Sequence, residues 1–427
     1  MRRTSPRSNS PRTAPAPTPA AGSHTNPHAA IGAPRRRIAV VATVPYTFNM
    51  FLASHLPALA RLHDVTLLAN GSVEEFDPAL RERCDFIPIG IAREVSPRSD
   101  LRTLVELRNH FRREAFDAVL TMTPKAGLLG MVSARVAGIP TRIHWFTGQV
   151  WATRRGLVRR TLRTLDGVTA GCATGLLADS PSQRAFLAHE GVAAEARVTV
   201  LGDGSVCGVD TRRFKPDRSA RQAVRRRLRI DDDAVVALFL GRMNAEKGIP
   251  ELASAFARIA AAFPGLHLVL AGPDEGGCAG GRVGTMRGRI EPILAPFSGR
   301  VHMPGLVRDP EAFMAAADLL VLPSHREGFG LSVLEAAACG IPAIGTDIYG
   351  LTDAIVRGET GLLVPVRDEA ALAEAMRTLV DDRILRDRLG TAGRARVLER
   401  FTRARLEQAF IAYMTDALGS GPVHSPA

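Results

Sequence analysis

Residues 319–342 read LLVLPSHREGFGLSVLEAAACGIP, and this stretch does most to decide the fold. The apolar run at residues 319–322 is typical of a buried parallel strand. After a polar turn, a helix is predicted over Leu331–Cys339. Gly340 and Pro342 follow it as a common helix-ending pair. The stretch therefore predicts a strand, a glycine-containing turn and a helix.

The turn of this unit carries Glu327. Gly328 and Gly330 on either side of the phenylalanine let the backbone approach a ligand closely. The free amides at the start of the following helix favour a phosphate. Glu335 lies on that helix, so two carboxylates flank the turn. The pattern suits a ligand with phosphate and hydroxyl groups, such as a nucleotide sugar. A strand–turn–helix unit with two solvated glutamates is the alternative.

A second motif follows another apolar run, Val235–Leu240. Residues 241–248 read GRMNAEKG and place Arg242 and Lys247 on one predicted strand-end loop. A planar guanidinium and a point-like ammonium together suit a diphosphate. Ligands of doubly wound folds bind at the carboxyl ends of strands, which is where this loop falls. A solvated basic loop is the alternative.

Apolar runs alternate with amphipathic segments along both halves of the chain, which predicts parallel sheets covered by helices. A Gly/Asp/Ser-rich stretch, Gly202–Asp210, separates the two series and is predicted to cross between domains. The predicted strands are residues 38–44, 63–69, 86–89, 118–121 and 141–146, and then 235–240, 266–271, 319–322 and 342–345. The predicted fold class is α/β, with two doubly wound parallel-sheet domains.

The Glu-x7-Glu spacing, the Gly-Arg-x4-Lys-Gly motif and the segment Gly202–Phe214 resemble the retaining family-4 glycosyltransferases. Those proteins have the GT-B fold, in which two Rossmann-like domains face a cleft. The resemblance covers about Arg37–Leu418. The domains expected from it are an acceptor domain at 37–202, a nucleotide-sugar domain at 203–402 and a C-terminal helix at 403–418 that returns to the first domain. Residues 1–36 and 419–427 are expected to form a disordered basic arm and a flexible tail.

The resemblance also implies roles for individual residues. Arg242 and Lys247 would neutralise the diphosphate, Glu335 would bind the ribose, and Glu327 would contact the sugar and act in catalysis. The rest of the expected nucleotide-sugar site is Gly241 and the backbone at Phe329, Gly330 and Leu331. No residue stands out as a covalent nucleophile, and these groups handle the phosphates without a metal. The run Asp231–Asp233 precedes a predicted strand and is interpreted as a solvated turn.

One segment departs from the family pattern. Tyr349 and Gly350, with Asp353 further on, stand where many relatives have Gly-Gly and Glu. The sequence leaves open how this loop meets the donor sugar.

The first half is expected to bind the acceptor. Lys125 lies in the first turn of a predicted helix, where a cation opposes the helix dipole. This indicates a nearby anion, or else a solvent-facing lysine. Thr147, just after the fifth predicted strand, is a further acceptor-binding candidate. His144 is a catalytic candidate because a histidine in this region meets the sugar in some relatives; a core histidine is the alternative.

An arginine-rich helix is predicted next to both tryptophans of the chain. Arg154, Arg155, Arg159, Arg160 and Arg163 alternate with apolar residues, which favours an amphipathic helix on an anionic membrane. An ordinary surface helix is the alternative. The neighbouring sequences FTGQVWA and TPKAGLLG look like relatives that act on polyprenyl-diphosphate-linked sugars.

Composition limits the remaining classes. Of the net charge of +12, seven charges come from arginines in residues 1–37, where no acidic residue occurs. That basic arm is interpreted as an anionic-lipid or nucleic-acid binder, or as an extension without a role. The rest of the chain is too weakly charged to predict nucleic-acid binding. Five scattered cysteines predict neither a disulfide framework nor a zinc site, and they fit a reducing cytoplasm.

The sequence as a whole predicts an enzyme: a retaining hexosyl- or N-acetylhexosaminyl-transferase without a cofactor. It would use a nucleotide diphosphate sugar, UDP-linked, and a lipid-linked glycan acceptor in surface polysaccharide biosynthesis. The expected location is the cytoplasm, peripheral on the inner face of the membrane. A GT-B sugar-nucleotide epimerase and a non-catalytic nucleotide-sugar-binding scaffold are the alternatives. A NAD-dependent dehydrogenase is disfavoured because no Gly-x-Gly-x-x-Gly follows the first strand.

Overall fold

A computed structural model describes residues 34–92, 96–275, 277–279 and 282–419. The predicted basic arm and C-terminal tail lie outside this range, apart from residues 34–36 and residue 419. Both sheets belong to one unit that begins at Arg36.

The first half of the chain forms a seven-stranded sheet in which every pairing is parallel. The strands are β1 (Arg37–Val41), β2 (Asp64–Ala69), β3 (Asp85–Pro88), β4 (Ala118–Met122), β5 (Thr141–Phe146), β6 (Gly175–Ala178) and β7 (Val198–Val200). Their spatial order is β3-β2-β1-β4-β5-β6-β7. The order reverses beside β1, which is the topological switch point where doubly wound folds bind ligands.

Helices connect these strands and cover both faces of the sheet. They are α1 (Pro45–Thr47), a π-helical turn (Phe48–Leu52), α2 (His55–Ala60), α3 (Pro78–Arg81), α4 (Pro97–Glu114), α5 (Pro124–Ala137), α6 (Gly156–Cys172) and α7 (Pro181–His189). Short 3₁₀ turns lie at Val73–Glu75 and Glu195–Arg197. Alternate residues of β1 enter opposite cores. Ile38 and Val40 pack in one apolar cluster, and Ala39 and Val41 in the other. A strand buried on both faces must be apolar throughout, which explains its continuous hydrophobic run.

The second half forms a six-stranded parallel sheet. Its strands are β8 (Val235–Leu240), β9 (Leu266–Ala271), β12 (Val301–Gly305), β13 (Leu319–Leu322), β14 (Ala343–Thr346) and β15 (Gly361–Val364), and a separate hairpin contains β10 (Gly277–Ala279) and β11 (Arg282–Gly284). The sheet order is β12-β9-β8-β13-β14-β15. The prediction of two doubly wound parallel sheets is confirmed.

The helices of the second half surround one large core. They are α8 (Arg218–Leu228), α9 (Ile249–Ala260), α10 (Met286–Leu294), α11 (Pro310–Ala316), α12 (Leu331–Ala338), α13 (Leu351–Ala354), α14 (Glu369–Asp381) and α15 (Arg383–Arg400), with 3₁₀ turns at Ala245–Lys247 and Ala295–Arg300. None of the described helices is long and apolar enough to cross a bilayer.

The last helix, α16 (Arg403–Gly419), packs on the first sheet's side of the molecule. Its residues Leu406, Phe410 and Met414 belong to the core of the first half, whereas Phe401 belongs to that of the second. The chain therefore crosses between the halves at 401–403. The earlier crossing runs beside it, since Val209 bridges Thr402 in parallel.

Several predicted boundaries differ from the structure. The first strand ends at Val41 rather than Val44. The sequence pattern also predicts a helix over Met50–Leu62, where the structure has the end of the π-helical turn and the shorter helix α2. The sequence pattern predicts a strand within residues 168–178, and the structure has β6 there, after α6 ends at Cys172. The sequence prediction also missed the short strands β7, β12 and β15. These strands have few residues and lie at or near sheet edges, so their apolar pattern is weak.

Phe410 anchors the returning helix, because its buried ring stacks 4.8 Å from His55 and 6.0 Å from Trp145. Phe410→Ala should lower the free energy of unfolding by about 3–5 kcal/mol, through lost burial and the cavity left behind. Urea unfolding followed by circular dichroism measures this effect. Gln408→Ala, at an exposed position of the same helix, is the control. Equal midpoints for the two variants would show that α16 is not held by this contact.

Candidate active site

The candidate site lies where loops at the carboxyl ends of strands from both sheets meet. Strands β8 and β13 lead into Arg242 and Glu327, and strand β5 leads into Thr147. Gly328 marks the meeting point. A Cβ on Gly328 would lie 2.9 Å from the Thr147 carbonyl oxygen and against the Asp179 carboxylate. Only a glycine allows the two halves to approach this closely.

Glu327 and Lys247 form an ion pair across two loops of the second sheet. The Lys247 Nζ donates to Glu327 Oε1 at 2.5 Å, and the Ser324 hydroxyl donates to the same oxygen at 2.8 Å. Both charged side chains are largely buried, at 19% and 13% exposed. The Asn244 carboxamide accepts from the Lys247 amide at 3.1 Å and so fixes the loop. A partly dehydrated ammonium beside a carboxylate can donate a hydrogen bond to a phosphate oxygen if the ligand replaces or shares the Glu327 contact.

Arg242 lies at the more open rim of the same edge. Its guanidinium donates to Glu275 Oε2 at 3.0 Å, and the Asn244 side chain donates to that oxygen at 3.2 Å. Arg242 remains half exposed. The preceding Gly241 contacts the next strand end, because a Cβ on Gly272 would collide with the Gly241 carbonyl. Arg242 and Lys247 therefore lie on one loop but pair with different carboxylates, Glu275 and Glu327.

The Phe329–Leu331 turn starts helix α12. Gly330 has φ of +88°, a left-handed conformation, and a Cβ there would lie 2.5 Å from a Leu351 methyl group. The Phe329 ring is buried against Phe401 at 5.5 Å, so the backbone is the part of Phe329 placed to meet a ligand. The amides that begin α12 give this turn a partial positive charge.

Glu335 lies on α12 and is partly buried. Burial raises the pKa of Glu335 to about 8, and the positive charges of Arg213 and Arg403 oppose that rise. In the part of the chain that the structure describes, no side chain donates a hydrogen bond to this carboxylate. An isolated carboxyl group of this kind is costly to bury and can accept hydrogen bonds from ligand hydroxyls.

The sequence analysis missed Asp179, which immediately follows β6. The pKa of Asp179 is raised to about 8, mainly by burial and also by the negative charge of Glu327, while the hydrogen bond from Trp145 opposes the rise. That bond, from indole Nε1 to Oδ1, is 2.9 Å long. The available signal was an acidic residue at the carboxyl end of a parallel strand, where ligands of this fold class bind.

The three acceptor-side candidates are placed differently from one another. His144 is buried, and its Nδ1 lies 2.8 Å from the Thr121 hydroxyl; burial lowers the pKa of His144 to about 3. This position favours the core-histidine alternative. Lys125 forms an ion pair with Asp100 at 2.7 Å, which supplies the anion that its helix position indicated. Thr147 lies at the junction, with its carbonyl beside Gly328.

Among the described residues, no group of three or more His, Cys, Asp or Glu side chains is arranged to hold a metal ion. The run Asp231–Asp233 forms a turn before β8, at the amino end of the strand, as the sequence predicted.

Comparison with known proteins assigns the chain to a family. The family described as "Glycosyl transferases group 1" matches residues 220–396, and "Glycosyl transferase 4-like domain" matches residues 50–204. A capsular polysaccharide biosynthesis glycosyltransferase, CapM of Staphylococcus aureus, is 31% identical over 314 residues, which span 74% of this chain and 80% of that protein. The chain belongs to the group 1 glycosyltransferases. It is therefore a transferase, and the motifs at residues 241–248 and 327–335 fall within the group 1 match.

Other similar proteins agree with this assignment. An Escherichia coli enzyme named UDP-Gal:alpha-D-GlcNAc-diphosphoundecaprenol alpha-1,3-galactosyltransferase is 26% identical over 71% of this glycosyltransferase and 76% of its own length. Sucrose-phosphate synthase of Thermosynechococcus elongatus has a TM-score of 0.73 at 24% identity, covering 90% of this chain and all of that one. HepE of Anabaena, solved with UDP-glucose, has a TM-score of 0.73 at 17% identity over 90% of this chain and all of its own. These structures share the GT-B fold.

The raised pKa of Glu335 has a consequence for stability. Between pH 4.5 and about 8 the folded glycosyltransferase holds a proton on Glu335 that the unfolded chain releases, so stability falls as pH rises through this window. Glu335→Gln removes that loss. The variant should melt at nearly the wild-type temperature at pH 4.5 and increasingly above it towards pH 8.

Differential scanning calorimetry at several pH values measures the difference. Glu82→Gln, at an exposed position of the first half, is the control and should show no trend. If the Glu335→Gln protein melts at a lower temperature than wild type at pH 8, the claim that ionised Glu335 destabilises the fold is wrong.

Proposed function

We propose that this glycosyltransferase is a retaining enzyme. It moves a hexosyl or N-acetylhexosaminyl group from a UDP-linked donor to a hydroxyl of a lipid-linked glycan during surface polysaccharide biosynthesis. The observation that carries the proposal is the cluster of Lys247, Glu327, Glu335 and the start of α12, at one sheet edge against the first half of the chain. The names of the CapM and galactosyltransferase relatives support a role in polysaccharide biosynthesis and a lipid-linked acceptor. The structure of HepE with UDP-glucose supports a UDP-linked donor.

The chemistry needs a stabilised leaving group. As the bond from the anomeric carbon to the diphosphate breaks, negative charge grows on the phosphate oxygens. Lys247, Arg242 and the amides at the start of α12 are arranged to stabilise that charge. An acceptor hydroxyl attacks the anomeric carbon from the face that the diphosphate leaves, and a diphosphate oxygen takes its proton. The product then keeps the donor's anomeric configuration.

Glu327 and Glu335 have separate roles in this proposal. Glu335 accepts hydrogen bonds from the ribose, because none of the described side chains donates to its carboxyl group. Glu327 leaves its pairing with Lys247 when the diphosphate arrives and contacts a hydroxyl of the sugar. The enzyme uses no cofactor, and no metal is needed while Lys247 and Arg242 neutralise the diphosphate.

The ammonium of Lys247 provides a direct test. Lys247→Met should lower kcat by roughly 100-fold, a loss of the size seen when one donor to a developing oxyanion is removed. Lys215→Met, at an exposed position outside the site, is the matched control and should keep wild-type kcat. The assay follows transfer from UDP-sugars to a synthetic polyprenyl-diphosphate glycan, and NMR determines the anomeric configuration of the product.

Inversion of the anomeric centre would overturn the retaining mechanism. Equal kcat for Lys247→Met and Lys215→Met would overturn the site. Formation of an isomeric UDP-sugar without acceptor would reveal an epimerase instead. Thermal stabilisation by UDP, GDP, ADP and TDP identifies the base, since a ligand at about 100 times its Kd adds roughly 2.7 kcal/mol.

We further propose a peripheral location on the cytoplasmic face of the membrane, through α6. Leu162 of this helix packs against the core of the first half, whereas Leu157, Val158, Leu165 and Val168 are exposed. Leu157 is 78% exposed and Val158 is 58% exposed, beside the exposed Arg155 and Arg160. Exposed apolar side chains flanked by arginines suit an interface of acyl chains and anionic headgroups.

Vesicle binding tests α6. The double variant Leu157→Ser/Val158→Ser should lose most co-sedimentation with vesicles of anionic phospholipid, because it loses the apolar insertion. Ile384→Ser, at a position 82% exposed in the second half, is the control and should bind as wild type does. Wild-type binding should weaken with added salt. Equal binding by both variants would contradict this membrane surface.

A further inference from the structure

The segment Tyr349–Asp353 joins the two halves of the molecule. The Tyr349 ring stacks on Phe186 of helix α7, with centroids 4.5 Å apart and planes 22° apart. The Tyr349 hydroxyl accepts a hydrogen bond from the Gln149 amide at 3.2 Å. Phe186 in turn stacks on Trp151 at 5.3 Å. A residue of the second sheet's loops thus completes an aromatic stack that belongs to the first half.

A polar bridge lies beside the stack and centres on Ser182. The Ser182 amide donates to the Asp353 carboxylate at 3.0 Å, and the Ser182 hydroxyl donates to the same oxygen. The Gly350 amide donates to that hydroxyl at 2.7 Å. Asp353 therefore satisfies a free amide in the first turn of α7, where a negative charge also offsets the helix dipole. These bonds exist only while the two halves are together.

The same segment contacts the turn that carries Glu327. Gly350 has φ of +83°, and a Cβ there would lie 2.6 Å from the Gly328 carbonyl oxygen and 3.0 Å from the Glu327 carbonyl oxygen. On its other side the turn meets the Thr147 carbonyl and the Asp179 carboxylate of the first half. The Glu327 turn therefore lies between Gly350 on one side and Thr147 and Asp179 on the other. The polar bridge centred on Ser182 fixes the distance between these two sides.

We propose that Ser182 and Asp353 are positioning residues for sugar transfer: by bridging the halves through Gly350, they place the Glu327 turn against the acceptor side. This inference rests on the proposed transferase function of Glu327 and Lys247. Neither residue is assigned a contact with the donor or acceptor. The bridge makes catalysis depend on the joined arrangement, whereas UDP binding through Lys247 and Glu335 uses only the second half.

The bridge can be removed without removing the N-terminal cap of α7. The Ser180 hydroxyl caps the helix by accepting from the Gln183 amide at 3.1 Å, and its contact with the Ser182 hydroxyl is longer, at 3.4 Å. Removing the Ser182 hydroxyl thus leaves the cap in place. Ser219 offers a matched control. It is also the second residue of a helix, α8, and its hydroxyl donates to Asp217 at 2.7 Å within the second half.

Ser182→Ala should lower kcat about tenfold while the Kd for UDP stays within about twofold of wild type. Ser182→Thr, which keeps a hydroxyl, should restore most of the rate, and Ser219→Ala should match wild type. Asp353→Asn should resemble Ser182→Ala. The double variant Ser182→Ala/Asp353→Asn should lose little more than either single variant, because the two residues act as one pair.

Small-angle X-ray scattering reads the arrangement of the halves without any substrate. Ser182→Ala should have a larger radius of gyration than wild type and Ser219→Ala. Wild-type kcat in Ser182→Ala, additive losses in the double variant, or a loss confined to UDP affinity would overturn the proposal. If wild type transfers no sugar, the proposed function fails, and the scattering then decides the bridge alone: equal radii would overturn it.

Discussion

The structure depends on one close backbone contact, between the turn after β13 and the loops that follow β5 and β6. Gly328 has no side chain, so the Thr147 carbonyl and the Asp179 carboxylate come within reach of its backbone. Any larger residue would separate the two sheets at the point where their strand ends meet. The carboxyl edges of both sheets, which collect ligand-binding loops in doubly wound folds, are thereby brought to one place.

The buried charged and carboxyl groups at this contact lower the stability of the folded state. Lys247 and Glu327 are paired with little solvent around them, and Glu335 and Asp179 are carboxyl groups whose pKa values burial raises to about 8. Burying carboxyl groups without full sets of donors disfavours folding. Such groups cluster where binding or catalysis requires them. Family membership gives the protein a reaction class, and the proposed function assigns each residue of the cluster a distinct task.

The sequence predicted the parts of the fold whose signals are local and strong. The apolar runs of β1, β8 and β13 are buried on both faces, so they are continuous and easily recognised. Short strands such as β7 and β15 carry too few residues to show a pattern. The π-helical turn at residues 48–52 has no proline or glycine to mark it, and its residues Phe48 and Leu52 are buried.

For the candidate site, motifs at fixed spacing singled out Lys247, Glu327 and Glu335, since those residues follow recognisable strands. Ser182 was missed because its partners Asp353 and Gly350 lie far away in sequence, in the other half, and Asp179 because its contact with Gly328 also crosses between the halves. His144 was singled out by the sequence, but the structure favours a core position for it. Its ring packs beneath α5, where a Cβ on Gly127 would collide with it. Contacts across the two halves are therefore what sequence alone does not supply.

The central claim is that a nucleotide diphosphate sugar binds at the Lys247–Glu327 cluster, and a crystal structure with UDP tests it most directly. The account predicts a diphosphate oxygen within hydrogen-bonding distance of Lys247 Nζ, the ribose hydroxyls on the Glu335 carboxylate, and the Lys247–Glu327 contact lengthened or shared. UDP bound elsewhere, or bound with the Lys247–Glu327 pair unchanged and Glu335 uncontacted, would contradict it.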